Sequence, residues 1–234
     1  MPPEPEKAAD RAERLLIEAI LNDTYRAGTF LPGERSLCKD LGVARPALRE
    51  ALQRLARDGW LEIQHGKPTT VTNYWHEGNL NVLVTLLKLD HSMLMGFIPD
   101  LLEMWSLLAP TYTRRAVETD PATIARVVNG FSGLDDRADP YARAQWRLHR
   151  LLCDLCGNPI YGLIFNSFVS FYRGVATRYY DAARPREQTR GFWAKLAAAA
   201  EAGDSPAAAD AMRAHMERLL AEWDTYVHEL DMDE

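Results

Sequence analysis

The first third of the chain moves from helical to extended patterns of apolar residues. Over residues 8–25, apolar side chains return every three or four positions, which predicts a first helix. The segment AGTFLPG interrupts it, and ERSLCKDL then predicts a short second helix. Gly42 supplies a turn before a third helix. The buried stripe of that helix follows i, i+3, i+4, i+7 spacing at Leu48, Ala51, Leu52 and Leu55.

The third helix is followed at once by a predicted hairpin. WLEIQ alternates apolar and polar residues and TTVT consists of β-forming residues, so both segments favour strands. Residues 65–68 join them, and Gly66 can adopt the positive φ of a tight turn. The order helix, helix, turn, helix, hairpin predicts a winged helix-turn-helix.

From about residue 79 onward only helical patterns occur. Turn residues separate the helical segments, and none shows the alternation of a strand. The segments are 79–95, 100–118, 121–131, 141–157, 159–182, 186–203 and 205–230. Such a run favours an all-α antiparallel bundle with ligand sites between facing helices. We therefore predict a mainly α protein: a winged helix-turn-helix at 1–72, a linker at 73–78 and a helical bundle at 79–234.

Composition limits the class of protein. Of the 234 residues, 47% are hydrophobic, which is enough for compact cores and excludes a disordered chain. No apolar run approaches the roughly 20 residues that span a bilayer, and the polar N-terminus MPPEPEKAADRAE does not resemble a signal peptide. The three cysteines show no disulfide spacing and suit a reducing compartment. We expect a cytoplasmic protein with no membrane contact.

The formal charge of -6 is unevenly distributed along the chain. Residues 1–78 have 11 basic and 12 acidic side chains, a balance of -1, whereas the remainder has 16 and 21, a balance of -5. Residues 34–67 have seven basic and five acidic side chains, or +2. A local basic face of this kind is what phosphate binding requires, even in an acidic chain.

Two arginines give the third predicted helix a candidate reading face. Arg45 and Arg49 lie one turn apart near its N-terminus, and an arginine can form two hydrogen bonds with guanine in the major groove. Further contacts to the minor groove or to phosphates are expected from Arg35, Arg54, His65, Gly66 and Lys67. Arginines on a helix face are more often plain solvated surface. Their combination with the turn and the wing favours DNA binding.

Residues 30–71, which carry these features, resemble the DNA-binding domain of the GntR superfamily. LQRLARDGW, IQHGKPT and GNPIYGLI resemble more narrowly the FadR fatty-acid-responsive regulators, and the similarity extends through nearly the whole chain. The resemblance implies a homodimer on a palindromic DNA operator, released by long-chain acyl-CoA bound in an all-helical C-terminal domain. It also implies repression of fatty-acid degradation and activation of unsaturated fatty-acid synthesis. The positions that match the family's DNA contacts are Arg35, Arg45, Arg49, His65, Gly66 and Lys67.

The chain departs from the family in its reading helix. Ala44, Pro46 and Ala47 stand where the best-known members have threonines. These replacements remove hydroxyl groups that could cap the helix or bond to DNA. The operator sequence is therefore not inferred from the family.

One predicted helix of the bundle has histidine and cysteine residues that could bind a metal ion or could be plain core. His149, Cys153 and Cys156 recur at i, i+4, i+7, a spacing at which imidazole and thiolates could bind zinc. A fourth ligand is not apparent, and buried cysteines on an apolar stripe are commoner, so core packing is favoured. Metal-binding GntR relatives use one aspartate and three histidines here. The matching positions in this chain hold Gln145, His149, Trp193 and His215. We expect no metal and no resident cofactor.

The resemblance also indicates where acyl-CoA would bind. The residues expected to line or adjoin that cavity are Leu102, Trp105, Phe168, Tyr172, Tyr179, Met216 and Trp223. Aromatic residues at helical spacing are otherwise more often plain core. Met216 and Leu219 stand where FadR relatives have small residues, and Trp105 replaces an arginine. Packed interiors have few spare voids, so we expect a weakened or reshaped response to acyl-CoA.

An enzyme is one alternative to a ligand-controlled regulator. An enzyme acting on acyl thioesters would need a positioned nucleophile and base, and no G-x-S-x-G motif is present. A DNA-binding regulator is therefore preferred to an enzyme. A regulator that responds to a different small carboxylate, or one that binds DNA constitutively, stays open as an alternative.

Overall fold

The computed structural model describes residues 6–89 and 91–231. They form two compact units, which divide along the chain between Thr85 and Leu86. The predicted fold class is confirmed: a winged helix-turn-helix is followed by an all-α bundle. Within the described ranges, no helix is long and apolar enough to cross a membrane.

Three helices and a hairpin make up most of the first unit, the head. α1 spans Ala8–Leu21, α2 spans Glu34–Leu41 and α3 spans Arg45–Asp58. Their apolar stripes meet in a common core, where Leu16 and Leu48 are fully buried. The predicted turn between α2 and α3 therefore rests on a well-packed base, which fixes the direction of α3 within the head.

Gly59 fixes the way the chain leaves α3. Its φ of 92° is in the left-handed region, where glycine has no steric penalty. A Cβ added at this position would lie 2.3 Å from the carbonyl oxygen of Glu77. Only glycine fits this close approach, so the sharp turn from reading helix to hairpin depends on it.

The hairpin is shorter than predicted. β1 is Leu61–Glu62 and β2 is Thr70–Val71, and they pair antiparallel with Leu61 opposite Val71. The predicted strands WLEIQ and TTVT each extend further because their residues are good β-formers. The turn begins early, since the Lys67 amide donates to the Gln64 carbonyl at 3.2 Å, and this leaves a long tip outside the ladder.

The predicted linker at 73–78 contains a helix. α4 spans Tyr74–Glu77, and the Asn73 side chain caps it by accepting from the Trp75 amide. The ring of Tyr74 lies 4.8 Å from the ring of Trp60. The next helix, α5 (Leu80–Leu89), begins shortly after the end of α4. The connector thus packs on the head, and the division of the chain at Thr85 comes later than the linker. The domain boundaries themselves stay a prediction.

The second unit, the bundle, is helical throughout its described part. Its elements are α6 His91–Thr119, α7 Pro121–Asn129, a 3-10 turn Gly130–Gly133, α8 Ala138–Leu155, α9 Pro159–Ser167, α10 Val169–Tyr179, α11 Ala183–Glu201 and α12 Ser205–Asp231. α12 packs along α6. The hydroxyl of Ser205 at the start of α12 donates to Glu118 at the end of α6, so these two helices run antiparallel.

Several helix boundaries differ from the prediction, and the predicted segment 79–95 is divided between α5 and α6. The predicted break at 96–99 is absent, because α6 continues through Pro99. Ile98 and Leu101 are buried on either side of this proline, and their packing offsets the backbone hydrogen bond that it removes. The predicted helix 159–182 is instead divided into α9 and α10 at Phe168, whose amide bonds back to Phe165 in a tight turn.

Candidate DNA-binding surface and effector cavity

The N-terminus of α3 presents the predicted reading face. α3 begins at Arg45, with Pro46 in its first turn, where a proline needs no hydrogen-bond partner. Ala44 occupies the N-cap position and makes no side-chain cap. Arg45 and Arg49 are both exposed, while Leu48 between them is buried. The two guanidinium groups therefore lie on the solvent side of the helix.

An ion pair with Glu34 holds Arg49. The Arg49 Nε lies 3.0 Å from both carboxylate oxygens of Glu34, the first residue of α2. This hydrogen bond raises the pKa of the Arg49 guanidinium above its already high value. Among the described residues, none forms a salt bridge with Arg35 or Arg45. Sequence reasoning missed Glu34, because the contact joins two helices and follows no periodicity.

The tip of the hairpin presents the predicted wing residues to solvent. His65, Gly66 and Lys67 are all exposed, and Gly66 has a φ of 75°. The Lys67 ammonium donates to the Gln64 side-chain oxygen at 2.6 Å, and the Gln64 amide donates to Glu62 at 2.6 Å. The lysine is thus held at the tip and can neutralise a phosphate there.

Arg54 has a different surrounding from the one expected. Its guanidinium donates to Asp10 at 2.7 Å, to Glu13 at 3.1 Å and to Glu50 at 2.5 Å. Three carboxylates already occupy this cation, so the structure argues against its predicted contact with phosphate. Arg54 instead joins α3 to α1.

A cavity of about 140 Å³ lies inside the bundle. The structure brings around it all of the residues that were expected at the ligand: Leu102, Trp105, Phe168, Tyr172, Tyr179, Met216 and Trp223. Leu219, which was predicted to reduce its volume, lines it as well. No lysine or arginine belongs to the lining within the described residues. Ligand binding by these residues stays a prediction.

Two further aromatic residues form a wall of this cavity. The rings of Trp146 and Phe165 stack 4.0 Å apart, and Trp105 meets Phe165 edge-on at 5.3 Å. Tyr172 lies 4.8 Å from Trp146. Trp146 was missed, although its place one residue from Gln145 and three from His149 puts it on the same side of α8. Phe165 was also missed, although it lies three residues before Phe168 and would share its face in one continuous helix.

The four positions that hold metal ligands in some GntR relatives are fixed here by hydrogen bonds. An indole N–H can only donate, and Trp193 Nε1 donates to Gln145 Oε1 at 2.9 Å. The Gln145 Nε2 therefore faces the two imidazoles, at 3.2 Å from Nε2 of His149 and of His215. His149 Nδ1 then donates to the Tyr112 hydroxyl at 2.5 Å. His215 Nδ1 accepts from Arg218 Nη2 at 2.9 Å, because a guanidinium can only donate. The Nε2 of a neutral His215 then carries the proton, so the Gln145 amide donates to His149 alone.

Burial keeps both of these histidines neutral. It lowers the pKa of His149 to about 4. Burial, and after it the charge of Arg218, lowers the pKa of His215 well below its usual value. A neutral His149 is what the amide of Gln145 requires, because an imidazolium has no free acceptor nitrogen. The two neutral histidines are therefore held by hydrogen bonds from Gln145 and Arg218, without a metal ion among them.

The two cysteines considered as zinc ligands are core residues. Cys153 and Cys156 are buried free thiols. Burial raises the pKa of the Cys153 thiol to about 12, and Cys156 Sγ donates to the Cys153 carbonyl at 3.1 Å. A thiol loses its proton when it binds zinc, and burial opposes that loss at Cys153. Among the described residues, no group of three or more histidine, cysteine, aspartate or glutamate side chains could hold a metal ion.

Two family models together match nearly the whole chain. Residues 8–71 match the bacterial regulatory proteins of the gntR family, and residues 72–234 match the FadR C-terminal domain. The chain belongs to the FadR branch of the GntR family. Because this is a family of regulators, the FadR-branch assignment confirms that the protein is not an enzyme.

Curated relatives extend this likeness to whole proteins. The fatty acid metabolism regulator protein of Edwardsiella ictaluri is 39% identical over 91% of this chain and 89% of its own length. The protein of the same name from Serratia proteamaculans is 42% identical over 79% of this chain and 77% of its own. Among solved structures, Lar of Listeria monocytogenes is 18% identical, with a TM-score of 0.57 over 95% of this FadR-branch chain and 99% of Lar. That last likeness concerns the fold alone.

Proposed function

We propose that this chain is a sequence-specific DNA-binding regulator of fatty-acid metabolism, released from DNA when fatty acyl-CoA binds in the bundle. Relatives named fatty acid metabolism regulator protein, at 39% and 42% identity, support this role. Repression of fatty-acid degradation, activation of unsaturated fatty-acid synthesis and a cytoplasmic location are parts of the same proposal.

The observation that carries the choice of ligand is the chemistry of the cavity. Its lining is mostly aromatic and aliphatic, and it includes no lysine or arginine in the part of the chain that the structure describes. The lining amide and imidazole, Gln145 and His149, are already bonded to each other. A small carboxylate bound there would lose its hydration without gaining a cation or a free donor from these groups. An acyl chain needs neither, so an acyl ligand is favoured over a small carboxylate.

The head supplies the DNA-binding half of the proposal. Arg45 and Arg49 are exposed at the start of α3, the end that meets base edges in helix-turn-helix proteins, and Lys67 is exposed on the wing. Acyl-CoA would favour a conformation of the chain with lower DNA affinity. Such coupling requires only that the ligand binds that conformation more tightly.

The number of base pairs that one head can contact bears on the operator sequence and on the oligomeric state. A single reading helix contacts few base pairs, and two heads on a palindrome combine their half-sites. A homodimer on a palindromic operator is therefore part of the proposal. Light scattering at micromolar concentration should give twice the 26.5 kDa chain mass. A monomer that binds DNA as a single chain would remove this part.

The size of the cavity sharpens the expected ligand response. An apolar cavity of about 150 Å³ holds a benzene molecule, so the 140 Å³ present here admits only part of a long acyl chain. Met216 is 3% exposed and lines the cavity. Its side chain must therefore move before a long acyl chain can enter. We propose that long-chain acyl-CoA binds weakly for this reason.

Calorimetric titration with octanoyl-CoA and palmitoyl-CoA tests the role of Met216. Met216→Ala should strengthen palmitoyl-CoA binding more than octanoyl-CoA binding. Met212→Ala is the matched control, because Met212 is equally buried on α12 and does not line the cavity. Tight palmitoyl-CoA binding by the unmodified chain, with no gain in Met216→Ala, would contradict this account of the cavity. Absence of binding by either thioester to any variant would contradict the acyl-CoA proposal.

A further inference from the structure

Glu34 holds Arg49 through one particular nitrogen atom. Both carboxylate oxygens accept from Arg49 Nε, each at 3.0 Å. No described residue accepts a hydrogen bond from Nη1 or Nη2 of this arginine. The Arg49 side chain is 64% exposed, so these two terminal nitrogens lie in solvent. The guanidinium is thus restrained at its inner edge and free at its outer edge.

The free edge has the geometry that guanine recognition needs. Guanine offers O6 and N7 side by side in the major groove, and an arginine contacts them with two N–H groups at once. A guanidinium bound through Nε still has Nη1 and Nη2 for this contact. Fixing its plane beforehand reduces the conformational freedom that it loses on binding DNA. Within the described residues Arg45 has no such partner, so its orientation on α3 is not set in the same way.

We propose that Glu34 is a positioning residue that presents Arg49 to guanine and so contributes to sequence specificity. This inference rests on the proposed function, because it requires that α3 reads DNA. It assigns to α2, through its first residue, a direct influence on which base pair is preferred. Glu34 itself contacts Arg49 and not the base.

The charge of Glu34 makes this role distinguishable from a purely structural one. A carboxylate beside the DNA-facing arginine repels phosphates and lowers the affinity for every sequence. Exposed ion pairs contribute little to folding stability, so the pair with Arg49 is not explained by the fold. Removing Glu34 should therefore lower the discrimination between base pairs, while the affinity for nonspecific DNA rises or stays the same. Unfolding of the head would instead lower both.

The matched control is Asp40 on the same helix. Its side chain accepts from Ser36 at 3.2 Å, and it forms no salt bridge with a described arginine or lysine. Asp40→Ala removes the same charge from α2 as Glu34→Ala does. It leaves the contact of Arg49 intact. Any difference between the two variants then reports on Arg49 and not on net charge.

The experiment selects bound sequences from a library of DNA duplexes with a randomised central segment. It uses the full-length chain and its Arg49→Ala, Glu34→Ala and Asp40→Ala variants, with affinity for a scrambled duplex measured in parallel. The unmodified chain should enrich a motif with a guanine that Arg49→Ala no longer selects. Glu34→Ala should lower the preference for that same guanine at least fivefold and bind the scrambled duplex as tightly as before or more tightly. Asp40→Ala should keep the preference.

The possible contrary results separate the two levels of the proposal. Full preference for that guanine in Glu34→Ala, beside a clear motif for the unmodified chain, overturns the positioning role alone. An equal loss of preference at every position of the motif also overturns it, since that outcome indicates a structural defect. If the unmodified chain enriches no motif, sequence-specific DNA binding fails, and the positioning role fails with it.

Discussion

The head and the bundle use polar side chains in opposite ways. In the head, Arg49 is 64% exposed and keeps two nitrogens free for an outside partner. In the bundle, Gln145 and His149 are at most 7% exposed and bond to each other. The head thus offers hydrogen bonds at its surface, whereas these two side chains of the bundle are bonded to each other. A charged polymer suits the first arrangement, and an apolar chain suits the second.

The largest expected effect is a loss of folding stability when the buried hydrogen bonds of Gln145 are removed. Gln145→Leu removes the acceptor of the Trp193 indole and the donor to His149 Nε2, and it leaves these two nitrogen atoms buried without partners. The free energy of unfolding should fall by about 3–5 kcal/mol. Gln53→Leu, at an exposed position of α3, should change it by less than about 0.5 kcal/mol. Urea unfolding followed by tryptophan fluorescence measures both. Equal, small changes would show that the cluster contributes little.

Acid should weaken the bundle in a defined pH window. The pKa of His149 is lowered to about 4 and that of His215 is also lowered, whereas unfolded histidines titrate near about 6.5. Below pH 6.5 the unfolded chain therefore binds more protons than the folded one. Stability should fall as the pH decreases from 6.5 to 4, with up to about 3 kcal/mol from His149. It should be constant from pH 7 to 8.

The control for this pH effect is a histidine of the head. His65 is exposed, and its replacement by glutamine should leave the pH dependence unchanged, whereas His149→Gln should reduce the slope between pH 6.5 and 4. Carboxylates held by arginines, such as Asp136 and Asp139, lose their contribution at lower pH, below about 4. A flat stability profile from pH 7 to 5 in the unmodified chain would contradict buried neutral imidazoles.

Two substitutions on the head should separate base reading from phosphate binding. Arg49→Ala should reduce discrimination at one base pair of each half-site by about 1–3 kcal/mol. Lys67→Ala should instead weaken binding to all sequences and reduce the salt dependence by about one phosphate contact. Fluorescence anisotropy on selected and scrambled duplexes at several salt concentrations measures both. Unchanged affinity and preference in Arg49→Ala would show that α3 does not read bases as described.

The smallest expected effect concerns Arg54, whose predicted phosphate contact competes with three carboxylates. Arg54 is bound to Asp10, Glu13 and Glu50, so Arg54→Gln should leave the salt dependence of DNA binding unchanged. Its free energy of unfolding should fall by about 1 kcal/mol or less, because the pairs are partly exposed. A decrease in the salt slope as large as that of Lys67→Ala would restore Arg54 as a phosphate contact.

The sequence predicted what depends on local pattern and missed what depends on packing between elements. The third helix was predicted because its buried stripe and its spaced arginines lie within one segment. The Glu34–Arg49 pair and the surroundings of Arg54 join different helices, and no periodicity reveals them. The residues around the cavity were found through the resemblance, while Trp146 and Phe165 were missed.

The central claim is that acyl-CoA in the bundle lowers the affinity of the head for DNA. Anisotropy of a labelled duplex, chosen by selection, measures this affinity in the presence of octanoyl-CoA, palmitoyl-CoA, free CoA and acetate. Both acyl-CoA esters should release the duplex, palmitoyl-CoA more effectively from Met216→Ala than from the unmodified chain, and free CoA and acetate should have no effect. DNA affinity that is indifferent to both acyl-CoA esters in every variant, or equally sensitive to free CoA, would contradict the claim.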